Sequence, residues 1–418
     1  MSAPSAAELR RRLRAVIGPR APLLKALIDS LREVQQPGYL VGGPVRDLIL
    51  GQPIGDLDVL VPESVEAVAR ELAVRAGGRA VQRPRFRTAT VESRWGSVDF
   101  VAARREHYSR PGALPAVEAG PIDVDLGRRD FSVNCLALPI TSRERHILDP
   151  HGGFADLKAK RLRVLHDQSF VDDPTRLFRA VRYSARLGLK LESGTLKLVR
   201  DAVTKGRVSL LSPARVLHEI QKLIAEAKSA PAVAQTAARG LLAAASPNWK
   251  TPEARTLRRF DRLKTQPPWP GARDTFDVGL ALLLGESTPQ ARKRVLERLG
   301  LSGKAAARPL AALSALRRHS KFLAEPRSPG ALDARLAEEP ADNLVFLHCV
   351  LPAAGARQLV RFSTELRPRP SPLSGRDAVA LGVEGPAIGA FLRAARTRAL
   401  DGKTTDDTWR QRWLRARR

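Results

Sequence analysis

The stretch that decides the fold of this chain is Val41-Gly42-Gly43-Pro44-Val45-Arg46-Asp47, followed closely by Asp56-Leu57-Asp58. A Gly-Gly turn lets backbone N–H groups approach a triphosphate, because no Cβ atom stands in the way. On a strand, Asp56 and Asp58 would place both carboxylates on one face and Leu57 on the other. Paired carboxylates beside a phosphate-binding turn are what Mg²⁺-dependent nucleotidyl transfer requires. The alternative is a turn that leads into an ordinary solvated strand, and the segments downstream must decide between the two.

Net charge is the most unusual bulk property of the sequence. The chain has 418 residues, with 71 Lys and Arg against 43 Asp and Glu, which gives a formal charge of +28. A length of this kind accommodates about two to four domains with sizeable cores. An arginine-rich composition can reflect a GC-rich genome, but an excess of this size favours a polyanionic partner such as nucleic acid.

Cysteine content and apolar runs exclude several classes of protein. Cys135 and Cys349 are the two cysteines, too few for a disulfide framework or a zinc site, so we expect both to be buried in a reducing compartment. Residues 1–20 lack the apolar segment of a secretory signal, and the longest apolar run, Val278–Leu284, is too short to span a bilayer. We therefore expect a soluble, cytoplasmic protein without a membrane partner.

Hydrophobic periodicity predicts alternating helices and strands in the first third of the chain. The predicted strands are Tyr39–Val41, Asp56–Val61, Thr88–Glu92 and Val98–Ala102, and the predicted helices begin at Pro22, Pro44 and Val65. Asp99 lies in the last of these strands, where a third carboxylate could converge on Asp56 and Asp58 from a neighbouring strand. Residues 1–20 are typical of a loosely ordered arm or a frayed helix, and 108–121 of a mobile loop rich in proline and glycine.

Strand signals almost vanish beyond Ile140, apart from a short candidate at Leu162–Leu165. Asp172-Asp173 followed by Pro174 predicts the start of a helix that runs to Leu189. One stripe of this helix carries four arginines, namely Arg176, Arg179, Arg182 and Arg186. The stripe is either a solvated basic face or a phosphate-reading face packed against the preceding domain. The remainder is helical, with proline-rich spacers near 246–252, 266–270, 326–329 and 368–372.

Three further segments carry a family resemblance: Arg128–Asn134, Asp149–Leu157 and Asp172–Arg176. Together with the Gly-Gly and Asp-x-Asp elements, they occur in an order that closely resembles the class II tRNA nucleotidyltransferase and bacterial poly(A) polymerase family over residues 39–190. Members of that family extend RNA 3′ ends without a template. Residues 373–402 also resemble the C-terminal tail of the tRNA-specific branch.

The resemblance implies an α+β protein. A polymerase-β-like nucleotidyltransferase head with a small mixed sheet would be followed by an all-α neck, body and tail. The implied boundaries are 1–20 for a flexible basic arm, 21–140 for the catalytic head, 141–205 for the neck that recognises the base, 206–340 for the body and 341–418 for a tail that binds tRNA.

The resemblance also implies the site residues. Asp56 and Asp58 match the family's metal-binding aspartates, and Asp99 stands at the place of its third catalytic carboxylate. Two Mg²⁺ ions held by Asp56 and Asp58 would align the RNA 3′ hydroxyl with the α-phosphate. The implied nucleotide-binding residues are Gly42, Gly43 and Arg46 for the triphosphate, Arg129 and Asp130 for sugar and phosphates, Asp173 and Arg176 for the base, and Arg179 and Arg182 for phosphate or ribose.

Base selection has a physical reason in the implied pair Asp173 and Arg176. ATP and CTP both carry an amine beside a ring nitrogen, whereas UTP and GTP present oxygen there, so a carboxylate and a guanidinium can select A and C. The family includes enzymes that add CCA to tRNA, that add only CC, and that add only the final A with a companion CC-adding enzyme. Poly(A) polymerases are a further alternative, and a non-catalytic RNA-binding protein that retains the fold is another. For the tRNA branch, the implied partner surface is the acceptor stem and elbow.

Departures from the family pattern are few. The chain has Asp172 where Glu is usual, Ser132 where Thr is usual, and Cys135 where Ala is usual. Ala214 replaces the Glu of a common Ser-x-Glu-Arg pattern, which leaves the orientation of the nearby arginines open. None of these departures removes a candidate metal ligand or a member of the base-reading pair.

Overall fold

The computed structural model describes residues 4–142, 144–265 and 275–416, and the chain divides into two compact units. The first unit, Met1–Ser212, combines helices with sheet, whereas the described residues of the second, Pro213–Arg418, form helices and connecting turns. Within the described ranges, no helix is both long enough and apolar enough to cross a membrane. The predicted spacer at 266–270 lies outside the described residues.

A six-stranded mixed sheet forms the centre of the first unit. The strands of this unit are β1 (Tyr39–Val41), β2 (Leu57–Val61), β3 (Arg79–Arg83), β4 (Thr88–Ser93), β5 (Gly96–Ala102), β6 (Arg104–His107), β7 (Ala116–Ala119), β8 (Ala137–Pro139), β9 (Arg161–Leu162) and β10 (Lys190–Leu191). The main sheet has the order β3-β4-β5-β2-β1-β8. In this sheet, β2 and β5 run parallel to each other, and each of the other neighbouring pairs is antiparallel. The four predicted strands of the head are present, and β3 was missed because its arginines and glutamine give no apolar alternation.

Helices of the first unit cover the sheet and continue the chain beyond it. They are α1 (Ala6–Val16), α2 (Ala21–Glu33), α3 (Gly43–Leu50), α4 (Val65–Arg75), α5 (Ile122–Gly127), α6 (Gly153–Lys158), α7 (Ser169–Asp172), α8 (Thr175–Leu187) and α9 (Ser193–Thr204). Helix α4 packs across β3, β4 and β5, and α2 packs against α4. The apolar side chains of the strands that face this layer, such as Val91 and Phe100, are buried.

The described residues of the N-terminal segment form helix α1, so of the two expected forms, a loosely ordered arm or a frayed helix, the structure shows a helix. Ser5 caps α1 by accepting a hydrogen bond from the Glu8 backbone N–H at 3.2 Å. Leu9 and Leu13, one helical turn apart, are buried where α1 meets α3 and β8. The Arg10 guanidinium donates to the Pro139 carbonyl oxygen at 3.0 Å. At least this one of the basic side chains in the segment therefore binds a backbone carbonyl group of the protein itself.

The predicted loop at 108–121 is in part a β-hairpin. Strands β6 and β7 pair antiparallel, with His107 opposite Ala116, so only the residues between these strands form the hairpin loop. A hydrogen bond holds this loop against α7, since the Gly112 N–H donates to the Val171 carbonyl oxygen at 3.1 Å. Sequence patterning missed these strands because β6 is almost entirely charged and polar.

Helix α8 begins one residue after Pro174 and ends at Leu187, and Gly188, which follows it, adopts a left-handed conformation with φ 64°. The candidate strand at Leu162–Leu165 corresponds to β9, which begins one residue earlier. Strand β9 pairs in parallel with β10, which follows α8 in the chain. Apart from this pair and the isolated β-bridges of Leu148 and Val164, the described residues of 141–205 form helices and connecting segments.

The second unit is an assembly of helices. They are α10 (Pro213–Ala225), α11 (Ser229–Ala238), α12 (Leu241–Ala245), α13 (Ala254–Thr265), α14 (Thr275–Leu284), α15 (Pro289–Arg298), α16 (Gly303–Leu323), α17 (Pro329–Leu336), α18 (Ala341–Val350), α19 (Ala353–Arg361), α20 (Gly375–Ala380), α21 (Ala387–Leu400) and α22 (Asp407–Arg415). The apolar run Val278–Leu284 is buried in α14, which packs against α10, α16 and α18. Near the C-terminus, Phe391 stacks on Trp409 with ring centroids 5.5 Å apart.

The packing of α1 leads to a stability prediction. Leu13→Ala should lower the free energy of unfolding by about 2 to 5 kcal/mol, because it removes a fully packed side chain and leaves a cavity. Val16→Ala in the same helix is the control, since Val16 is 47% exposed, and should change it by less than about 0.5 kcal/mol. Urea unfolding measures both. Equal, small effects would support the loosely ordered arm.

Candidate active site

A glycine turn forms the end of the site that is predicted to bind phosphate. Gly42 adopts φ 73° and ψ −128° immediately before α3, a conformation that strains any residue with a Cβ atom. A Cβ at Gly42 would also lie 3.1 Å from Nη1 of Arg129. The turn therefore brings backbone N–H groups at the start of α3 and the Arg129 guanidinium to one place, an arrangement that suits an anion.

The three candidate carboxylates lie at one end of the parallel strand pair. Asp58 in β2 and Asp99 in β5 are register partners, so their side chains lie side by side on one face of the sheet. Asp56 lies immediately before β2 and is exposed, while Leu57 between them is buried on the other face. The convergence of Asp99 on the Asp-x-Asp pair, expected from sequence, is thus a consequence of the crossover from β2 to β5.

Asp58 has a strongly perturbed acidity. Its pKa is raised from 3.8 to about 6, mainly by burial and then by the neighbouring charges of Asp99 and Asp56, against the lowering effect of Arg129. Like charges held together in a half-buried position destabilise the ionised form. This combination of burial and carboxylate neighbours is typical of a functional site.

The chemistry of the carboxylates suits a hard divalent cation. Within the described residues, no three His, Cys, Asp or Glu side chains are already gathered as a complete set of metal ligands. Asp58 and Asp99 nevertheless lie side by side, and one oxygen of Asp99 accepts a hydrogen bond from Thr90 Oγ1 at 2.6 Å. Carboxylate oxygens are the ligands that Mg²⁺ takes, one or two from protein and the others from phosphates and water. A cation would also relieve the repulsion that raises the pKa of Asp58, so the residues present fit this group.

A buried network connects the glycine turn to the later elements. The Arg46 guanidinium, which is buried, donates to both carboxylate oxygens of Asp47 and, at 2.6 Å, to Oδ1 of Asn134. Asn134 in turn donates to Oδ1 of Asp130 at 2.9 Å, and Arg179 from α8 donates to Oδ2 of Asp130 at 2.8 and 2.5 Å. The sequence predicted Arg46, Asp130 and Arg179 as site residues, and the structure links them through Asn134.

Asp130 is held in its ionised form by these partners. Burial by itself raises the pKa of this carboxyl, but the Arg179 charge and the hydrogen bonds from Asn134 and Arg179 outweigh it and hold the pKa below its usual range. A buried carboxylate with this many donors orients the guanidinium beside it. Asp130 therefore acts in the structure as the anchor of Arg179.

Three of the four arginines in the α8 stripe face protein, whereas Arg186 is exposed, so only the end of the stripe is a solvated basic face. Arg176 and Arg182 are buried, and Arg179 pairs with Asp130 as described. Arg176 donates to Ser169 Oγ at 2.8 Å and to the Arg128 carbonyl oxygen at 2.6 Å. The guanidinium groups of four arginines lie 4.9 to 5.5 Å from the centre of the Tyr183 ring, namely Arg46, Arg179, Arg182 and Arg186.

Asp173 lies directly before α8. Its Oδ1 accepts hydrogen bonds from the Thr175 backbone N–H at 3.0 Å and from Thr175 Oγ1 at 2.6 Å, so the carboxylate is oriented by the start of the helix. The Arg176 N–H donates to the Asp173 carbonyl oxygen at 3.0 Å, which keeps the two residues together. The structure thus brings the predicted base-reading pair to one place and fixes both members.

Sequence reasoning missed two acidic residues that organise the site's arginines. Asp125, which is fully buried, accepts hydrogen bonds from Arg128 at 2.6 Å and Arg129 at 3.1 Å. Glu106 accepts from Arg128 at 2.7 Å and from the Tyr108 hydroxyl at 2.8 Å. Arg128 and Arg129 follow Asp125 by three and four residues at the end of α5, a spacing typical of helical ion pairs that could have revealed Asp125. No local signal pointed to Glu106.

Comparison with known proteins agrees with this geometry. Residues 38–163 match the family model of the Poly A polymerase head domain. An A-adding tRNA nucleotidyltransferase of Geobacter sulfurreducens is 36% identical over 270 residues, which make up 64% of this chain and 30% of that protein. A CC-adding tRNA nucleotidyltransferase of Deinococcus radiodurans is 40% identical over 189 residues, 45% of this chain and 50% of that protein. The matches thus span half the length or less of these curated relatives.

Fold similarity extends over nearly the whole chain. The solved structure of a CCA-adding enzyme in an apo form superposes with a TM-score of 0.80 at 25% identity, covering 97% of this chain and 98% of that one. The predicted α+β fold with a mixed-sheet head and a helical remainder is confirmed. The resemblance to the class II tRNA nucleotidyltransferase and poly(A) polymerase family is confirmed as well.

The raised pKa of Asp58 leads to a pH-dependent prediction. Since its pKa is higher in the folded state, ionised Asp58 lowers stability as pH rises from about 4 to about 6, and the loss persists above that range. Without divalent cations, Asp58→Asn should therefore raise the free energy of unfolding at pH 7.5, by on the order of 2 kcal/mol, and change it little at pH 4. Thermal unfolding at both pH values measures this.

The matched control for Asp58→Asn is Glu92→Gln. Glu92 is an exposed carboxylate on the next antiparallel strand, β4, and its neutralisation should have no comparable effect at either pH. A gain for Asp58→Asn that was the same at pH 4 and pH 7.5 would contradict the ionisation argument.

Proposed function

We propose that this chain is a template-independent nucleotidyltransferase that adds CCA, or its terminal A, to tRNA 3′ ends. CTP and ATP would supply the nucleotides, and pyrophosphate would leave. The observation that carries the proposal is the juxtaposition of Asp58 and Asp99 on adjacent strands, close to a glycine turn that holds the Arg129 guanidinium. A non-catalytic protein that merely kept the fold would have no need to maintain a costly ionised carboxylate at Asp58.

Asp56 and Asp58 would hold Mg²⁺, and Asp99 would lie on the side of the RNA 3′ hydroxyl. Mg²⁺, when bound, supplies charge neutralisation at the phosphates and lowers the pKa of the attacking hydroxyl. The N–H groups at the start of α3 would donate hydrogen bonds to the triphosphate oxygens. Arg129, whose Nε atom has no hydrogen-bond partner in the described part of the chain, would turn its guanidinium to the same phosphates.

The base would be read by Asp173 and Arg176 at the start of α8. Both side chains are already oriented by protein groups, so little conformational entropy would be lost when ATP or CTP binds. Arg179 and Arg182 would contact phosphate or ribose. Tyr108, which follows β6, donates a hydrogen bond from its hydroxyl to Glu106. The charges of Asp173 and Arg176 also act on the Tyr108 hydroxyl, so this end of the hairpin lies close to the start of α8.

Several activities within the family are consistent with this site. Relatives with different names, A-adding and CC-adding, match this chain at 36% and 40% identity, so identity does not choose between them. The full hairpin loop after β6 disfavours CC addition alone, and the tail-like segment at 373–402 disfavours a poly(A) polymerase, which is the alternative. If only the terminal A is added, a companion CC-adding enzyme is required.

The proposed division of labour follows the implied boundaries. The head at 21–140 would carry catalysis, the neck at 141–205 base recognition, and the body and tail at 206–340 and 341–418 contact with the tRNA acceptor stem and elbow. The net charge of +28 supports contacts with many phosphates along the tRNA backbone. A cytoplasmic location follows from the substrate.

Primer extension is the experiment that tests the proposed activity. Purified protein and Mg²⁺ are incubated with tRNA transcripts that end at the discriminator base, at C or at CC, with CTP and ATP separately and together. Growth of the bare end to CCA identifies a CCA-adding enzyme, and a single A added only to the CC end identifies an A-adding enzyme. Long A tails indicate the poly(A) polymerase alternative. The absence of any addition would support the binding protein.

The carboxylates lead to a prediction for catalysis. Asp56→Ala should reduce the extension rate by at least about a thousand-fold, because it removes a ligand of the ion that neutralises the phosphates. Glu92→Ala on the neighbouring strand is the control and should extend at the wild-type rate. An Asp56→Ala protein that retained its activity would rule out the metal assignment.

A further inference from the structure

The face of the sheet that carries the carboxylates continues past them onto β4 and β3. Residues paired across antiparallel strands point to the same face, so the register places Asp99, Thr90 and Val81 in one row. This row begins at Asp58 on β2, which is paired with Asp99. The opposite face is closed by buried side chains such as Val91, whereas Thr90 and Asp99 are only half-buried.

A hydrogen-bond chain runs along this open face towards Asp99. Nη1 of Arg83 on β3 donates to Oγ1 of Thr90 at 3.2 Å, and Oγ1 of Thr90 donates to Oδ1 of Asp99 at 2.6 Å. A guanidinium can only donate hydrogen bonds, and a hydroxyl has a single proton. Because Arg83 occupies an acceptor lone pair of Thr90, the hydroxyl proton is directed to Asp99. Both hydrogen bonds therefore run in one direction, from Arg83 through Thr90 to Asp99.

We propose that Thr90 is a positioning residue for Asp99 and that Arg83 orients the Thr90 hydroxyl. Thr90 holds Oδ1 of Asp99, and within the described residues Oδ2 has no hydrogen bond, so this oxygen is available to the reacting end of the site. The inference rests on the proposed nucleotidyl transfer and adds residues that lie outside the family motifs described above.

Positioning is needed here because Asp99 is next to like charge. Asp58 and Asp99 repel each other across the parallel pair, and this repulsion would turn the Asp99 side chain away from Asp58. A short hydrogen bond from Thr90 fixes the carboxylate in one rotamer before any cation or RNA arrives. Such preorganisation contributes to the rate through geometry rather than through substrate affinity.

The central test compares Thr90→Val with Thr90→Ser. Valine keeps the shape of threonine but cannot donate, and serine keeps the hydroxyl. Thr90→Val should lower kcat for tRNA extension about 10- to 100-fold, the size expected for a hydrogen bond to a charged group, with KM for ATP changed less than about 2-fold. Thr90→Ser should retain kcat within about 3-fold. A purely structural role would instead show as lost folding or as a change in KM.

A second measurement does not depend on turnover. Mn²⁺ binding to each full-length protein with a non-hydrolysable ATP analogue, followed by electron paramagnetic resonance, reports the metal ligands directly. Thr90→Val should weaken Mn²⁺ binding about 3- to 10-fold, and Thr90→Ser should not. Asp99→Ala removes the acceptor, so adding Thr90→Val to it should cause little further change in kcat or in Mn²⁺ affinity.

Arg83 has a matched control on its own strand. Arg79 and Arg83 are both exposed and lie on the same face of β3, so Arg79→Gln and Arg83→Gln remove the same charge. Arg83→Gln should lower kcat about 3- to 10-fold, and only weakly in the Thr90→Val background, while Arg79→Gln should stay within about 2-fold of wild type. Equal losses of kcat in Arg83→Gln and Arg79→Gln would show that the loss comes from the change in charge alone and would contradict the orienting role of Arg83.

Two outcomes separate the inference from the proposed function. Wild-type protein that transfers nucleotides while Thr90→Val matches it in kcat and in Mn²⁺ affinity overturns the positioning role and leaves the function standing. Wild-type protein that adds nothing to any RNA contradicts the proposed function itself. In that case, loss of Mn²⁺ affinity in Thr90→Val alone would still support the arrangement of Thr90 and Asp99.

Discussion

The buried carboxylate of Asp130 is the constraint on which the N-terminal half depends. An isolated buried charge is unfavourable, so Asp130 requires donors, and it takes them from elements far apart in sequence. Arg179 reaches it from α8, and Asn134 connects it to Arg46 at the start of the glycine-turn helix. Satisfying this one carboxylate therefore sets the position of α8 relative to the glycine turn. The candidate base-reading residues and the phosphate-binding turn thus share a common anchor.

Local sequence pattern was sufficient where the chemistry depends on spacing within one element. The Gly-Gly turn, the strand that carries Asp58 and the helix after Pro174 follow from backbone conformation and periodicity, although β2 begins at Leu57 and leaves Asp56 just before it. The identification of Asp99 also succeeded, because an acidic residue in an otherwise apolar strand is conspicuous. The family resemblance supplied the order of the domains, which composition and periodicity could not.

Pattern failed where the deciding contacts are long-range. The leucines of α1 were overlooked among arginines, although burial against β8 is what orders that helix. The charged and polar strand β6 and the short strand β7 gave no clear alternation, since partners across the hairpin rather than a buried face stabilise them. Residues such as Asn134, Glu106 and Thr90 act only through groups that the fold brings to them. No single-sequence rule identifies an acceptor whose donors lie elsewhere in the chain.

The parallel pairing of β2 with β5 has a consequence for how the protein acquires its chemistry during folding. Parallel neighbours need a crossover, here the segment that contains α4, β3 and β4, so Asp58 and Asp99 meet only after the intervening chain has closed a long loop. Non-local pairings of this kind form slowly. A nascent or partly folded chain therefore keeps Asp58 and Asp99 apart. Affinity for Mg²⁺ at the proposed site would arise together with the native sheet, so the ion would act on the folded head rather than on its folding intermediates.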